Sequence, residues 1–301
     1  MYSCHGLVLD SELPLPELTP APAGVPDVVV RVGPVTTPGA TAVLLPHGMW
    51  VDGETAGVDV PQVGRFLADG GTRITVQPYD DAAPATVRLF LLGTALGFLL
   101  VQRGLLVLHG NAFRVGASCA VVLGHSGAGK STLAAEMHRG GLDVLSDDVV
   151  PVDATGHALP GFARIKLWQD ALDRLGVPSD GLARVRAEHA KFHLPIERAA
   201  LDPLPVRWLY LLDRHDGPLR LVPVRGAEVF NALHEHAYRH EILVGAHRRT
   251  HLVRSAALAA SARLTRVDRP RGVDSVAASA AAILADIDAT PAREEHHVRT
   301  A

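Results

Sequence analysis

The sequence predicts an α/β fold in two parts: a small β-rich module over residues 1–84 and a larger α/β domain over 85–290, with a frayed tail at 291–301. Three observations lead there. An apolar, β-branched run from Cys119 to Leu123 turns through a glycine-rich stretch, Gly124 to Ser131, into a helix-forming segment, Thr132 to Met137; that is strand, tight loop, helix. One short helix alone separates this unit from a second apolar run, Leu142 to Val150. Before residue 84 the chain holds short strand-like runs between Pro-rich connectors, the pattern of an irregular β-module.

Length and composition set the outer bounds. The 301 residues suffice for one large domain or two modest ones. A net charge of −3 predicts no broad basic surface for nucleic acid. Cys4 and Cys119 are the only cysteines, too few for a disulfide framework or a thiolate zinc site and in keeping with a reducing cytoplasm. The opening MYSCHGLVLD lacks a charged segment followed by an apolar one, so no signal peptide is expected. Leu89 to Val101 is the strongest membrane candidate; between Arg88 and Arg103 it reads as too short to span and as a buried helix. No solenoid-type repeat is visible.

Taken in order, Gly6 to Leu9, Val28 to Val32, Ala42 to Leu45 and Arg73 to Gln77 read as strands of the first module. Ala85 to Val101 reads as a long apolar helix and Gly104 to His109 as a strand that ends on a histidine. After the Leu142–Val150 run, a turn at Thr155-Gly156 leads into Pro160-Gly161-Phe162-Ala163-Arg164-Ile165-Lys166-Leu167-Trp168. Arg164 and Lys166 alternate with apolar residues, so a strand puts both on one side, toward the site or toward solvent. Gln169 to Leu175 should be a short helix ended by Gly176, and Lys191 to Pro195 a basic, aromatic loop or strand. Val206 to Leu212 is a strand closed by Asp213, which reads as a turn residue. The last third turns helical over Leu252–Ala262 and Val273–Ile287, with Leu264–Val267 a strand between. In the final helix Val276, Ala280, Ile283, Leu284 and Ile287 share one face.

The chemistry concentrates in two places. Gly124-His125-Ser126-Gly127-Ala128-Gly129-Lys130-Ser131 fits G-x-x-x-x-G-K-[ST], the phosphate-binding loop, with Thr132 following. Its glycines let backbone N–H groups turn inward onto phosphate oxygens, and the helix beginning near Lys130 adds the positive end of its dipole. Lys130 is placed to reach the β- and γ-phosphates and the Ser131 hydroxyl to take a Mg²⁺ position. The second place is Ser146-Asp147-Asp148, where two adjacent carboxylates at a strand end can divide labour between a cation and a proton. His109 stands where it could orient that pair, or serve as a packed structural histidine. Arg164, Lys166 and Lys191 are candidates for neutralising transferring phosphoryl charge; Arg248 and Arg249 could reach a substrate anion. His234, His236, His240, His247 and His251 invite a metal reading, but H-E-x-x-H fails because Tyr238 stands where its second histidine belongs. They read as surface or packing histidines.

The ordered set of His109-Gly110, GHSGAGKST and Ser146-Asp147-Asp148-Val149-Val150 resembles the catalytic domain of HPr kinase/phosphorylase, whose fold is shared with PEP carboxykinase. The resemblance runs from about His109 to Val150, thins out toward Leu212 and is absent from the first 80 residues. It implies a phosphotransferase using ATP and Mg²⁺, with Asp147 as general base on a serine hydroxyl, Asp148 and Ser131 as Mg²⁺ ligands and His109 beside the base. It also admits a homo-oligomer, though no interface motif is legible. Where that family carries an acidic, glycine-rich segment after the Asp pair, this chain has Pro160 to Trp168. That departure, with the short N-terminal module, is similar to the HPr-kinase-related proteins of lasso-peptide biosynthesis. The implied partner is then a precursor peptide phosphorylated on its C-terminal serine, with no membrane and no nucleic acid involved. Two other readings fit the same residues: a small-molecule, PEP-carboxykinase-like kinase, and a non-catalytic nucleotide-binding regulator.

Overall fold

The computed structural model describes residues 1–162, 164–186, 189–196, 202–271 and 274–290. The expected tail at 291–301 and the start of the last helix at Val273 lie outside them.

Among the described residues the strands form two nine-stranded sheets and a separate two-stranded one. The first sheet uses every strand from Tyr2 to Pro78, in the order Thr19–Pro20, Tyr2–Cys4, Leu7–Ser11, Val28–Val32, Arg73–Pro78, Gly64–Asp69, Thr55–Val60, Met49–Asp52, Val43–Leu44. It is mixed: Val28–Val32 runs parallel to both its neighbours and the remaining pairs are antiparallel. The meander from Met49 to Asp69 is a finding beyond the sequence reading. Its Gly and Asp residues disguise strands that alternate cleanly, as in Gly64–Asp69, where Phe66 and Ala68 point into the core.

One apolar helix covers this sheet. It extends over Pro84–Gln102, 19 residues with a most apolar window of mean hydropathy 1.8, long enough by length and composition to cross a membrane. The expectation that it is too short is therefore corrected. What the helix does is pack: 72% of that window is buried, and Leu91, Leu96, Phe98 and Leu99 share one core with Val28, Val30, Phe66, Ile74 and Val76. A π-turn at Leu91–Ala95 interrupts it.

The second sheet carries the site. Its central order is Val144–Asp147, Gly110–Val115, Ser118–Gly124, Leu204–His215, with Arg263–Pro270 and Arg220–Val224 beyond. Ser118–Gly124, Leu204–His215 and Arg263–Pro270 are mutually parallel along the order, so their C-terminal ends share one edge, where open α/β sheets place their ligands. Both faces are covered, which is why the central strand is a continuous apolar run. Ala120 and Val122 pack on one face beneath the helices Lys130–Arg139 and Val276–Ala289. Cys119, Val121 and Leu123 pack on the other, beneath Ala227–Glu235 and Gly245–Ser261. In Leu204–His215 the alternation slips at Arg207: Val206 opposes Cys119 but Trp208 opposes Ala120, a bulge that turns Trp208 and Tyr210 toward the first face. The two-stranded sheet pairs Arg164–Trp168 with Lys191–Pro195. It seals the first face through Ile165, Leu167 and Phe192.

Candidate active site

The glycine-rich loop begins where the central strand ends. Gly127 and Gly129 have φ of +79° and +90°, the left-handed region that glycine enters without steric cost, and Gly129 caps the Lys130–Arg139 helix. Lys130 is buried, and its Nζ donates to the carbonyls of Gly124 at 2.7 Å and His125 at 3.2 Å. Burial lowers its pKa, with Asp148 and Asp147 acting the other way. Behind the loop lies Arg269, 5% exposed, which donates from Nη1 to the Ala128 carbonyl at 2.9 Å and from Nε to Ser275 Oγ at 3.1 Å. It holds the loop from below.

Facing the loop is the end of Val144–Asp147. Successive strand residues project to opposite faces, so two adjacent carboxylates should diverge. They do not, because the chain reverses: Asp148 has φ +76° and the Val149 N–H donates to the Asp147 carbonyl at 2.9 Å. This tight γ-type turn costs about 1–3 kcal/mol in a residue with a Cβ, and it brings both carboxylates to one cleft with Lys130, Ser131 and His109. The Ser146 hydroxyl braces the turn by donating to the Val149 carbonyl. Gly161 lies across Ser146: a Cβ there would fall 2.2 Å from the Ser146 Oγ.

The two carboxylates live in different surroundings. Asp147 is 4% exposed and accepts from the Asn111 amide and from the Lys166 backbone N–H at 2.9 Å. Burial, then the charge of Asp148, push its pKa up to about 6. Asp148 pairs with Lys166 Nζ at 2.7 Å, and His109 Nδ1 sits 3.3 Å from its other oxygen and 3.0 Å from its backbone carbonyl. Burial works against its ionised form, but Lys166 and His109 outweigh it and hold the carboxyl well below the usual range. His109 itself is shifted down, by burial first. Environments that drive neighbouring acids apart separate a proton acceptor from a permanent anion.

Several sequence expectations are thereby resolved or revised. His109 contacts Asp148; the side chain on Asp147 is Asn111, which sequence reasoning missed. Asn111 sits opposite Asp147 in the strand register, and its only signal was its place two residues after His109. Lys166 faces the carboxylate pair. Arg164 shares that side of the strand, opposite the core residues Ile165 and Leu167, and feels the charge of Asp147, but its guanidinium lies 5.2 Å from the Phe162 ring centroid and does not line the cleft. Lys191 lines it, with Nζ 5.6 Å from the half-exposed Trp168 ring. Arg248 and Arg249 are exposed on the Gly245–Ser261 helix, outside the cleft. Arg174 and Arg214 line it, and Arg214 does so because it lies near the C-terminal end of the strand parallel to the loop strand. Asp213 is exposed but does not close its strand as expected: the strand runs on to His215, and Asp213 pairs with Asp268 in the register.

Among the described residues five cationic and three acidic side chains line this cleft in a chain of net charge −3, a local field that draws anions. The donors that could hold a divalent cation are the Ser131 hydroxyl and the Asp148 and Asp147 carboxylates, all hard oxygens of the kind Mg²⁺ takes together with phosphate oxygens. Lys166 engages one Asp148 oxygen and leaves the other turned toward His109, so the set fits such an ion.

No protein-family model matches this sequence, and no curated protein does. Among solved structures it is similar to the Hpr(Ser) kinase/phosphatase from Coxiella burnetii, at 11% identity and a TM-score of 0.27, over 60% of this chain and 89% of that one. A likeness that distant carries no argument about activity.

Proposed function

We propose that this protein is a phosphotransferase that moves the γ-phosphoryl group of ATP onto a serine hydroxyl of a peptide. Following the resemblance of its motifs, the acceptor is the C-terminal serine of a lasso-peptide precursor. One observation carries the reading: the reversal at Asp148 delivers two carboxylates of opposite proton affinity to the cleft that holds the phosphate loop. A site that only bound nucleotide would have no use for a buried acid poised near neutrality.

The residues divide the work. Loop amides and Lys130 bind the phosphates and hold them in line with the acceptor. Asp147 takes the proton of the incoming hydroxyl, and Asn111 and the Lys166 N–H keep its carboxylate aimed. Asp148 and Ser131 would hold Mg²⁺, which when bound neutralises charge across the β- and γ-oxygens. Lys166, Lys191 and Arg214 add positive charge where the transferring group becomes more negative.

The test is mass spectrometry of serine-ending peptides incubated with the protein, ATP and Mg²⁺, alongside Asp147→Asn. The expected result is one phosphoryl group on the terminal serine, lost in the variant. Nucleotide binding without transfer to any peptide or small hydroxylated acid would overturn the assignment in favour of a regulator. Transfer to the small acids alone would move it to a metabolic kinase.

A further inference from the structure

Beside the phosphate loop lies a cluster that phosphoryl transfer does not use. His125 is the loop's second residue and is exposed. Across from it, Glu235 ends the Ala227–Glu235 helix and His236 follows as the helix cap. The His125 and His236 rings meet edge to face with centroids 4.7 Å apart. One ligand atom from each of His125, Glu235 and His236 lies within 4.8 Å of the other two. Around a tetrahedral zinc ion, ligand atoms stand roughly 3.4 Å apart, so closure asks for about an ångström of side-chain movement. Two of the three side chains are exposed and free to supply it.

The third is fixed. His236 is 3% exposed, and its segment is tied to the stretch around His109. The His109 N–H donates to the His236 carbonyl at 2.7 Å, and the Tyr238 N–H to the Val107 carbonyl at 2.8 Å. Two imidazoles and one carboxylate are a borderline donor set, suited to Zn²⁺ or its neighbours and distinct from the all-oxygen set facing Ser131.

We infer that His125, Glu235 and His236 form a site for a zinc-class divalent cation that ties the phosphate loop to the Ala227–Glu235 helix. His236 is packed, as the sequence reading expects, and this inference adds a ligand role that the sequence could not signal, because His125 lies more than a hundred positions away inside a different motif. Loading holds the backbone at Gly124 and His125 where their carbonyls accept the Lys130 ammonium. If the loop binds phosphate, as proposed above, the cation therefore opposes nucleotide binding by keeping Lys130 turned inward. The binding site itself does not depend on that reading.

Metal-free full-length protein is titrated with Zn²⁺ by calorimetry, without nucleotide and with Mg²⁺ in excess. The expected result is about one equivalent bound in the micromolar range or tighter, weakened roughly tenfold or more in Glu235→Ala and in His125→Ala. Both substitutions are at exposed positions, so the fold is kept. His247→Ala and the double variant His296→Ala/His297→Ala keep the affinity. Amide hydrogen exchange over residues 125–130 slows on loading in the parent protein and is unchanged in Glu235→Ala. Absence of binding, or binding lost in the His296/His297 variant and kept in Glu235→Ala, overturns the assignment. Failure of peptide phosphorylation leaves these readouts untouched, so the two proposals fail separately.

Discussion

The loop from Gly124 to Ser131 and the corner at Asp147–Asp148 face each other across one cleft, yet they are built in opposite ways. The loop is local: eight consecutive residues, three glycines at positive φ and the first turn of one helix make it. The corner is assembled from three separate stretches, with His109 and Asn111 at the start of the Gly110–Val115 strand, the two aspartates from a strand end, and Lys166 from the small sheet. A local device works through backbone geometry, whereas an assembled one works through partner distances. Substitution should therefore affect the two regions differently, leaving nucleotide binding to the loop and transfer to the corner.

The largest break in that comparison is Asp147→Asn. It removes the proposed proton acceptor and leaves the loop untouched, so kcat should fall roughly 10²–10⁴-fold while calorimetry shows nucleotide affinity unchanged. Equal loss of both would mean that the corner and loop are one unit.

Lys166→Met acts on the fold as well as the chemistry. It leaves Asp148 ionised without its main partner, at a cost of about 3 kcal/mol at most, because the Asp148 side chain keeps 26% exposure. Denaturant unfolding should show this loss. An unchanged midpoint would show that the ion pair contributes nothing net.

The acid limb of the pH profile sharpens the comparison further. With its pKa raised from 3.8 to about 6, Asp147 must be ionised to act, so kcat/KM should fall about tenfold per pH unit below about 6. The same shift means that the folded state binds the extra proton, so the stability linked to Asp147 declines as pH rises from about 4 to about 6. Asp148 is shifted the other way, and its contribution is present above 3.8 and lost only as pH falls far below that value. Asn111→Leu, which deletes a donor to the Asp147 carboxylate, should move the limb to higher pH. A limb that does not move would remove Asn111 from the mechanism.

The smallest effect is expected from Gly161→Ala. The added methyl presses on Ser146 Oγ and must be relieved by a shift of the strand end, at about 1–3 kcal/mol. Thermal unfolding reads the cost, and a small accompanying loss of transfer rate would tie the Ser146 brace to the placement of the carboxylates.

Much of this was legible in the chain alone. The phosphate loop, the helix behind it, the Gln169–Leu175 helix and the Val28–Val32 strand depend on local periodicity and turn chemistry, which a linear sequence carries in full. The pairing of two aspartates was visible too, as were the basic residues Lys166 and Lys191. The Met49–Asp69 meander was not, since its glycines and acids conceal strands that only neighbouring strands make stable. The long apolar helix was legible as well, read over Ala85–Val101 and found over Pro84–Gln102, though the π-turn inside it was not.

Sequence by itself determined that this protein has a glycine-rich loop at a strand–helix junction and a double carboxylate close behind it, because both signals are written in adjacent residues. Tertiary structure decided which partners each carboxylate has, and hence their opposite proton affinities. It turned Asp148 back toward Asp147, set Asn111 on one and His109 with Lys166 on the other, and laid Arg164 over Phe162 rather than in the cleft. The physical reason is that charge energetics depend on burial and on distances of a few ångströms between residues far apart in the chain. No periodicity in the sequence encodes those distances.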